Sequence, residues 1–155
     1  MKKYLFWLAL IPLALFSCGS DDDVSNEPDK RSYLIIGNWK LTEEWKVWTG
    51  LGYSYESHWE KTYGDLLLSI NSSGTCSVSG SCVTKNIIWD KIVQELSVWF
   101  PNINKWEWND ARPTYPLKLY YTNSSEYVEY EVIFENDNKL EITSGNIGYR
   151  FQRQK

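Results

Sequence analysis

The feature that most constrains the fold is a succession of short β-rich segments between residues 117 and 151. The stretches 123–126, 136–138 and 144–146 separate these segments and carry the Asn, Asp, Ser and Gly residues typical of tight turns. In the second segment, alternate apolar side chains share one face: Val128, Tyr130, Val132 and Phe134. Strands joined in sequence by short turns predict an antiparallel meander, which protects its edges best by closing into a barrel.

The first half of the chain is also β-rich. Residues 39–42 and 45–48 combine aromatic and β-branched side chains, and the turn residues at 71–74 separate two further strand-like segments, 65–70 and 75–79. The sequence therefore predicts an all-β domain.

One segment breaks this pattern. Between residues 86 and 100 the apolar positions fall at helical spacing, Asn86 can cap a helix, and Pro101 would end it. We predict one amphipathic helix near 86–100 that covers the sheet with four apolar side chains: Ile88, Ile92, Leu96 and Trp99. The β-branched residues of this segment leave a strand as the alternative.

The N-terminus has the pattern of an export signal. Lys2 and Lys3 precede an apolar run, 4–16, that is short for a membrane span, and Ser17 and Cys18 follow it. This pattern resembles the signal peptide of bacterial lipoproteins, in which the cysteine is acylated, for example with palmitate, and becomes the first residue of the mature protein.

That resemblance divides the chain into three parts. It implies a signal peptide at 1–17, a lipid-anchored flexible tether at 18–32 and a folded domain at 33–155. Residues 19–32 are almost without apolar side chains and so cannot form a core, which agrees with a solvated tether. The expected location is the outer membrane, on its periplasmic face or at the cell surface, with attachment through the lipid on Cys18.

Two cysteines remain in the predicted domain. Cys76 and Cys82 flank a bend rich in Ser and Gly, and an exported domain meets oxidising conditions. A local disulfide and two unpaired thiols are both open alternatives. A zinc site would need further ligands, and the single histidine, His58, is not placed to supply one.

Several motifs together resemble a known family. The Gly-Asn-Trp sequence at 37–39, the β-meander and the aromatic and basic ending at 149–153 are similar to the lipocalin-like (calycin) domains of Bacteroidota lipoproteins. The resemblance covers about residues 34–154 and implies an up-and-down antiparallel barrel of about eight strands with a central cavity. The long aromatic insert between residues 48 and 63 and the helix-like segment at 86–100 depart from the family pattern.

The resemblance also assigns structural roles to single residues. Gly37 would let the backbone bend as it enters the first strand, and Trp39 would fill the narrow end of the barrel. In this family an arginine of the last strand lies across that tryptophan ring. Alternation along the strand makes Arg153 the first candidate for this contact and Arg150 the second.

Catalytic, cofactor and nucleic-acid functions find little support. Without Lys2 and Lys3, 14 of the 16 basic side chains remain against 20 acidic ones, a formal charge of −6 that disfavours nucleic acid as a partner. No catalytic residues, metal ligands or cofactor motifs are recognisable. Glu129 and Glu131 alternate with apolar side chains, so we expect them to be solvated.

Aromatic residues give the functional hint, since the chain has nine Trp and eleven Tyr. The candidate ligand-binding residues are Trp45, Trp48, Trp59, Trp89, Trp99, Trp106 and Trp108. If they line a barrel mouth, we expect a non-enzymatic envelope lipoprotein that holds a small hydrophobic molecule in its cavity. The alternative is a cell-surface module with a filled barrel that binds a glycan or a protein through exposed aromatic rings. A connected cavity of about 300 Å³ or more would favour the first.

Overall fold

β-Strands make up nearly all the regular structure. The computed structural model describes residues 28–49, 55–88, 91–112, 114 and 116–155, so Cys18 and Trp89 lie outside the described residues. Within them, helix α1 (Pro28–Ile35) precedes eleven strands. The strands are β1 (Gly37–Thr49), β2 (Tyr55–Gly64), β3 (Leu67–Ile70), β4 (Cys76–Ser79), β5 (Cys82–Ile88), β6 (Lys91–Ser97), β7 (Ile103–Trp108), β8 (Leu117–Tyr121), β9 (Tyr127–Asn136), β10 (Lys139–Ser144) and β11 (Ile147–Gln154). No helix in this part of the chain is long and apolar enough to cross a membrane.

The strands form one antiparallel sheet, which confirms the predicted all-β class. Its order is β6-β5-β2-β1-β11-β10-β9-β8-β7, and β3 pairs with both β1 and β4. Strands β7 to β11 follow one another as the predicted meander. The ladders do not close the sheet into a barrel. Where β4 approaches β7, the contacts include the Thr75–Lys105 bridge and a hydrogen bond of 2.9 Å from the Trp106 N–H to the Gly74 carbonyl.

The predicted helix near 86–100 is wrong, because this segment forms a β-hairpin. Strand β6 pairs with β5, with Val83 opposite Ser97 and Lys85 opposite Glu95. A register shift between Asn86 and Ile87 interrupts the pairing. The β-branched residues of the segment favour strands, and cross-strand hydrogen bonds satisfy its backbone without a helix.

Three of the four apolar side chains of that segment do not cover the sheet, and the side chain of the fourth, Ile88, lies outside the described residues. Ile92, Leu96 and Trp99 are 52%, 42% and 59% exposed, although the helical prediction placed them inward. The helical spacing is therefore coincidental, since strands alternate with a period of two and present these side chains to solvent.

Strands β2 and β3 continue one another, as do β4 and β5. Gly64 lies opposite Cys82 and Ile70 lies opposite Cys76, so one register runs through both interruptions. The two cysteines are therefore six residues apart along an extended path, a separation of about 20 Å. A disulfide requires Cα atoms within about 7 Å. In the structure both thiols are buried and unpaired, as in the second of the two alternatives that the sequence leaves open.

The inward faces of the strands pack into one hydrophobic core. Its largest side chains are almost fully buried: Trp39, Tyr130, Tyr149 and Phe151, at 0–2% exposure. The partly buried ring of Phe100 packs edge-on against Tyr149 and Phe151, with centroids 4.9 and 5.9 Å away. These aromatic rings therefore form the centre of the hydrophobic core.

The folded part begins earlier than the sequence predicts. Helix α1 starts at Pro28, inside the 18–32 segment expected to be a flexible tether. Arg31 is 7% exposed, and its guanidinium donates hydrogen bonds of 2.9 Å to the carbonyls of Thr114 and Val132. The polar composition of this segment predicts a solvated tether. Arg31 is nevertheless buried, because carbonyl groups accept the hydrogen bonds of its guanidinium.

Candidate functional site

Gly37, Trp39 and Arg153 meet where α1 joins the sheet. The Arg153 guanidinium carbon lies 4.2 Å from the centroid of the Trp39 ring, so the predicted contact is present. Trp39 donates from Nε1 to the Ile35 carbonyl at 2.7 Å, and Arg153 donates to the Ile36 carbonyl at 2.6 Å. Gly37 has a φ of 144°, and a Cβ there would lie 2.6 Å from Arg153 Nη1. These residues tie β1, β11 and α1 together, which is a structural role.

Two of the candidate tryptophans belong to the same end of the molecule. Trp106 and Trp108 pack edge to face, with centroids 6.1 Å apart. Their Nε1 atoms donate to the Asn71 carbonyl at 2.8 Å and to Ser32 Oγ at 3.0 Å, respectively. Because both indoles are held by the fold, we assign them to the structure rather than to a ligand site.

The other candidate tryptophans are dispersed. Trp99 is exposed, and its carbonyl accepts a hydrogen bond of 2.7 Å from the Tyr149 hydroxyl. Trp48 lies on β1, but its side chain, like the whole of Trp89, is outside the described residues. The structure therefore does not bring the seven candidates into one site.

Trp45 and Trp59 form the remaining pair, together with Arg150. They are cross-strand partners on β1 and β2, partly exposed, with ring centroids 5.2 Å apart. The Arg150 guanidinium carbon lies 4.0 Å from the centroid of the Trp59 ring. A Cβ at Gly148 would lie 2.9 Å from Trp59 Cη2, so glycine leaves the room that this ring occupies. We call these four residues the indole–arginine cluster.

The cluster lies on the outer face of the sheet, the face opposite the core. Arg150 stands between Tyr149 and Phe151, whose side chains are buried, so alternation points the arginine outward. Glu43 and Glu141 are its cross-strand neighbours in β1 and β10 and share that face.

Carboxylates fix the Arg150 side chain. Its Nε donates to Glu141 Oε2 at 2.8 Å, its Nη1 donates to Glu43 Oε2 at 3.2 Å, and Glu135 Oε1 is 4.0 Å from Nε. Burial opposes the charged guanidinium, but the hydrogen bonds to Glu141 and Glu43 outweigh it and raise the pKa of Arg150. The Arg150 cation is therefore held in one orientation by charged hydrogen bonds.

A groove of about 540 Å³ adjoins the indole–arginine cluster. Its polar lining includes Glu43, Lys61, Glu135, Lys139, Arg150 and Gln152. Register shifts lie beside it, between Leu41 and Glu43 in β1 and between Lys139 and Leu140 in β10. Such β-bulges bend a strand locally and re-aim its side chains, which makes room for a groove on an otherwise regular sheet. We call this feature the outer groove.

A second concavity of about 830 Å³ lies against β9, beside the loop that follows β7. There Glu129 accepts hydrogen bonds from Asn109 Nδ2 at 2.6 Å and pairs with Arg112 Nη1 at 3.0 Å. Alternation alone predicts that Glu129 is solvated. In the structure, Glu129 instead holds the loop onto the sheet. We assign this carboxylate to the fold.

Charged side chains also occur on the other face of β1 and β2. Glu44 lies opposite Glu60, and Lys46 lies opposite His58. Lys46 Nζ is 2.7 Å from Glu44 Oε2, while the distance from His58 Nε2 to Glu60 Oε1 is 3.7 Å. Among the described residues, no group of three or more His, Cys, Asp or Glu side chains could hold a metal ion.

Sequence reasoning did not find the outer groove. The sequence makes Arg150 only the second candidate for the contact with Trp39, and it assigns no role to Gly148. The available signal was the isolated glycine inside a predicted strand, which often marks a close approach of another group. Which group approaches depends on the pairing of β1 with β2 and β11, and the sequence does not reveal that pairing.

Comparison with known proteins does not extend these observations. No family model matches the sequence, no curated protein matches it, and no solved structure matches the fold. The lipocalin-like and lipoprotein resemblances therefore stay predictions.

Proposed function

We propose that this protein is a lipid-anchored, non-enzymatic binding module of the cell envelope that binds its ligand on the outer face of a filled barrel. The packed core carries the proposal. Tyr130, Tyr149 and Phe151 are buried between the inward faces of the strands, where a lipocalin-type ligand would sit. The outer groove instead offers polar side chains, and the partly exposed indoles of the indole–arginine cluster lie next to it, with Arg150 common to both.

We infer that the sheet forms an up-and-down barrel of about eight bent strands. Three pairs of short strands would then each count as one: β2 with β3, β4 with β5, and β6 with β7. The Thr75–Lys105 bridge and the Trp106–Gly74 hydrogen bond support contact between β4 and β7, which would be the closing seam. Closure would leave few exposed edges in this part of the molecule.

We also propose that residues 1–17 are a signal peptide and that Cys18 carries the lipid. The positively charged start, the short apolar run and Ser17 before the cysteine support this assignment. Anchoring there would hold the domain at the outer membrane, on the periplasmic face or at the cell surface.

A small hydrophobic ligand inside the barrel is the competing function. It would require the buried rings of Tyr130, Tyr149 and Phe151, which pack against one another, to move apart. Native mass spectrometry of the purified protein separates the two hypotheses. We expect the mass of the polypeptide with its covalent lipid and no further ligand. A lipid or metabolite that co-purifies in stoichiometric amount, and is retained by Trp59→Ala, would contradict the proposed outer site.

A further inference from the structure

We infer that the outer groove binds a neutral, hydroxyl-rich ligand, namely a short stretch of oligosaccharide. This inference rests on the proposed outer-face function and names its ligand class. The indole–arginine cluster, the hydrogen-bonding groups of the groove and its charge balance support it separately.

The indole–arginine cluster provides partly exposed apolar surface next to the groove. One face of a pyranose ring carries C–H groups and is apolar, so it packs favourably on the exposed part of an indole. Trp59 is held by Arg150, Trp45 and the cleft above Gly148, with Arg150 4.0 Å and Trp45 5.2 Å from the centroid of its ring. A ring that is already positioned loses little conformational entropy when a ligand binds.

Polar groups next to the cluster match sugar hydroxyls. Glu43 uses Oε2 for Arg150, and among the described residues Oε1 has no hydrogen-bond partner. Gln152 likewise has no side-chain hydrogen bond there, and Lys61 Nζ contacts the Tyr63 ring at 5.6 Å. A sugar hydroxyl both donates and accepts, so it can bind a carboxylate, an amide and an ammonium group in turn.

Charge balance argues for a neutral ligand. Glu43, Glu135 and Glu141 offset the cations around the groove, which are Lys61, Lys139 and Arg150. Lys139 pairs with Glu135 at 3.3 Å, and Arg150 pairs with Glu43 and Glu141. No single sign of charge dominates, so neither an anionic nor a cationic ligand gains from the local field.

Groove size favours a saccharide over a protein partner. A volume of about 540 Å³ lies within the range of small-ligand sites, about 300–1,000 Å³. A stable protein interface needs about 800 Å² on each partner and an apolar centre. The outer groove has mainly charged and amide side chains.

The test is binding of the purified protein to an array of neutral, acidic and amino oligosaccharides, followed by calorimetry on the best ligand. We expect a neutral oligosaccharide, and a Kd that changes less than about twofold between about 50 and 500 mM salt, because no net ion pairing is involved. Binding restricted to charged oligosaccharides with a steep salt dependence would overturn the inference, and so would no binding at all.

Variants locate the site. Trp59→Ala should weaken binding at least about tenfold, because it removes apolar surface next to the groove and the ring on which Arg150, a groove residue, packs. Gly148→Ala removes no ligand-contacting group, but its Cβ would lie 2.9 Å from Trp59 Cη2 and displace the ring, so it should also weaken binding. Trp99→Ala is the matched control, because Trp99 is an exposed tryptophan outside the groove. Unchanged binding by both cluster variants, Trp59→Ala and Gly148→Ala, each shown to be folded by its unfolding curve, would overturn the inference.

The two proposals fail in different ways. A retained interior ligand in native mass spectrometry would count against the outer-face function itself. An empty interior with no saccharide binding would overturn only the ligand class.

Discussion

The contact between Trp39 and Arg153 gives the first prediction at the scale of single residues. Trp39→Ala should lower the free energy of unfolding by about 3–5 kcal/mol, because it removes a large buried ring. Arg153→Ala should cost less, and the double variant should lose less than the sum, because the guanidinium lies 4.2 Å from the ring centroid. Denaturant unfolding of all four proteins tests this. Strictly additive losses would show that the two side chains are not coupled.

Two features of Gly37 exclude a larger residue: its backbone conformation and the close approach of Arg153. A substitution at a second glycine, Gly145, distinguishes their effects. Gly37→Ala should cost clearly more than about 1 kcal/mol, because φ is 144° and the new Cβ would lie 2.6 Å from Arg153 Nη1. Gly145 has a φ of 59° but no neighbouring atom within 4 Å of its Cβ position, so Gly145→Ala should cost only the backbone strain, about 1 kcal/mol. Equal losses in unfolding experiments would contradict the steric part.

The buried thiols predict a loss of stability in alkali. Burial raises the pKa of Cys76 to about 12 and, mainly through burial, that of Cys82 to about 11, from an ordinary value of 9.0. The two thiols therefore ionise at a lower pH in the unfolded chain than in the folded protein. The stability that the protonated thiols give the folded protein is complete below pH 9.0 and is lost as the pH rises toward 11–12. The expected slope is up to about 1.4 kcal/mol per pH unit and per thiol.

Cys76→Ala isolates this effect. Its unfolding free energy should fall less steeply than that of the wild type above pH 9.0. Burial also raises the pKa of Tyr130 and Tyr149, so the comparison between variant and wild type is informative and the absolute slope is not. Parallel curves for the two proteins would contradict the assignment to Cys76.

At the scale of elements, α1 is the part of the chain whose role was least expected. A protein that begins at residue 28 should be more stable than one that begins at residue 33, by at least about 2 kcal/mol. The shorter form loses the charged hydrogen bonds of Arg31 to the Thr114 and Val132 carbonyls, each worth about 1.5–3 kcal/mol. Arg31→Ala in the longer form should reproduce most of the loss. Equal unfolding midpoints for the two forms would show that α1 does not stabilise the sheet.

The β5–β6 hairpin shows how local pattern and long-range pairing can disagree. Residues 86–100 carry apolar side chains at helical spacing, yet they pair as strands with a register shift. Strand pairing lets the β-branched residues adopt their favoured conformation. It leaves the side chains of Ile92 and Leu96 exposed.

At the scale of the whole molecule, the prediction concerns attachment. Cys18→Ser should abolish partitioning into detergent and leave the unfolding free energy of the domain unchanged, because the predicted lipid lies ahead of the folded part. Phase separation measures the first effect, and denaturant unfolding measures the second. Partitioning equal to that of the wild type would refute lipidation at Cys18.

Part of this architecture follows from the sequence alone. Alternation and turn residues are local signals, so they predicted the all-β class, the C-terminal meander and the inward positions of Tyr130 and Val132. The choice of Arg153 as the partner of Trp39 combined alternation with a family resemblance, and the contact is present.

Tertiary structure alone decided the remaining features. Continuous register through β2–β3 and β4–β5 separates Cys76 from Cys82, and carbonyl acceptors from distant segments hold Arg31. The outer groove likewise needs β2, β1, β11 and β10 side by side, so that Trp59 reaches over Gly148 to Arg150. These arrangements depend on which strands pair and in which register, a choice that hydrogen bonding and packing make across the whole chain and that no local pattern encodes.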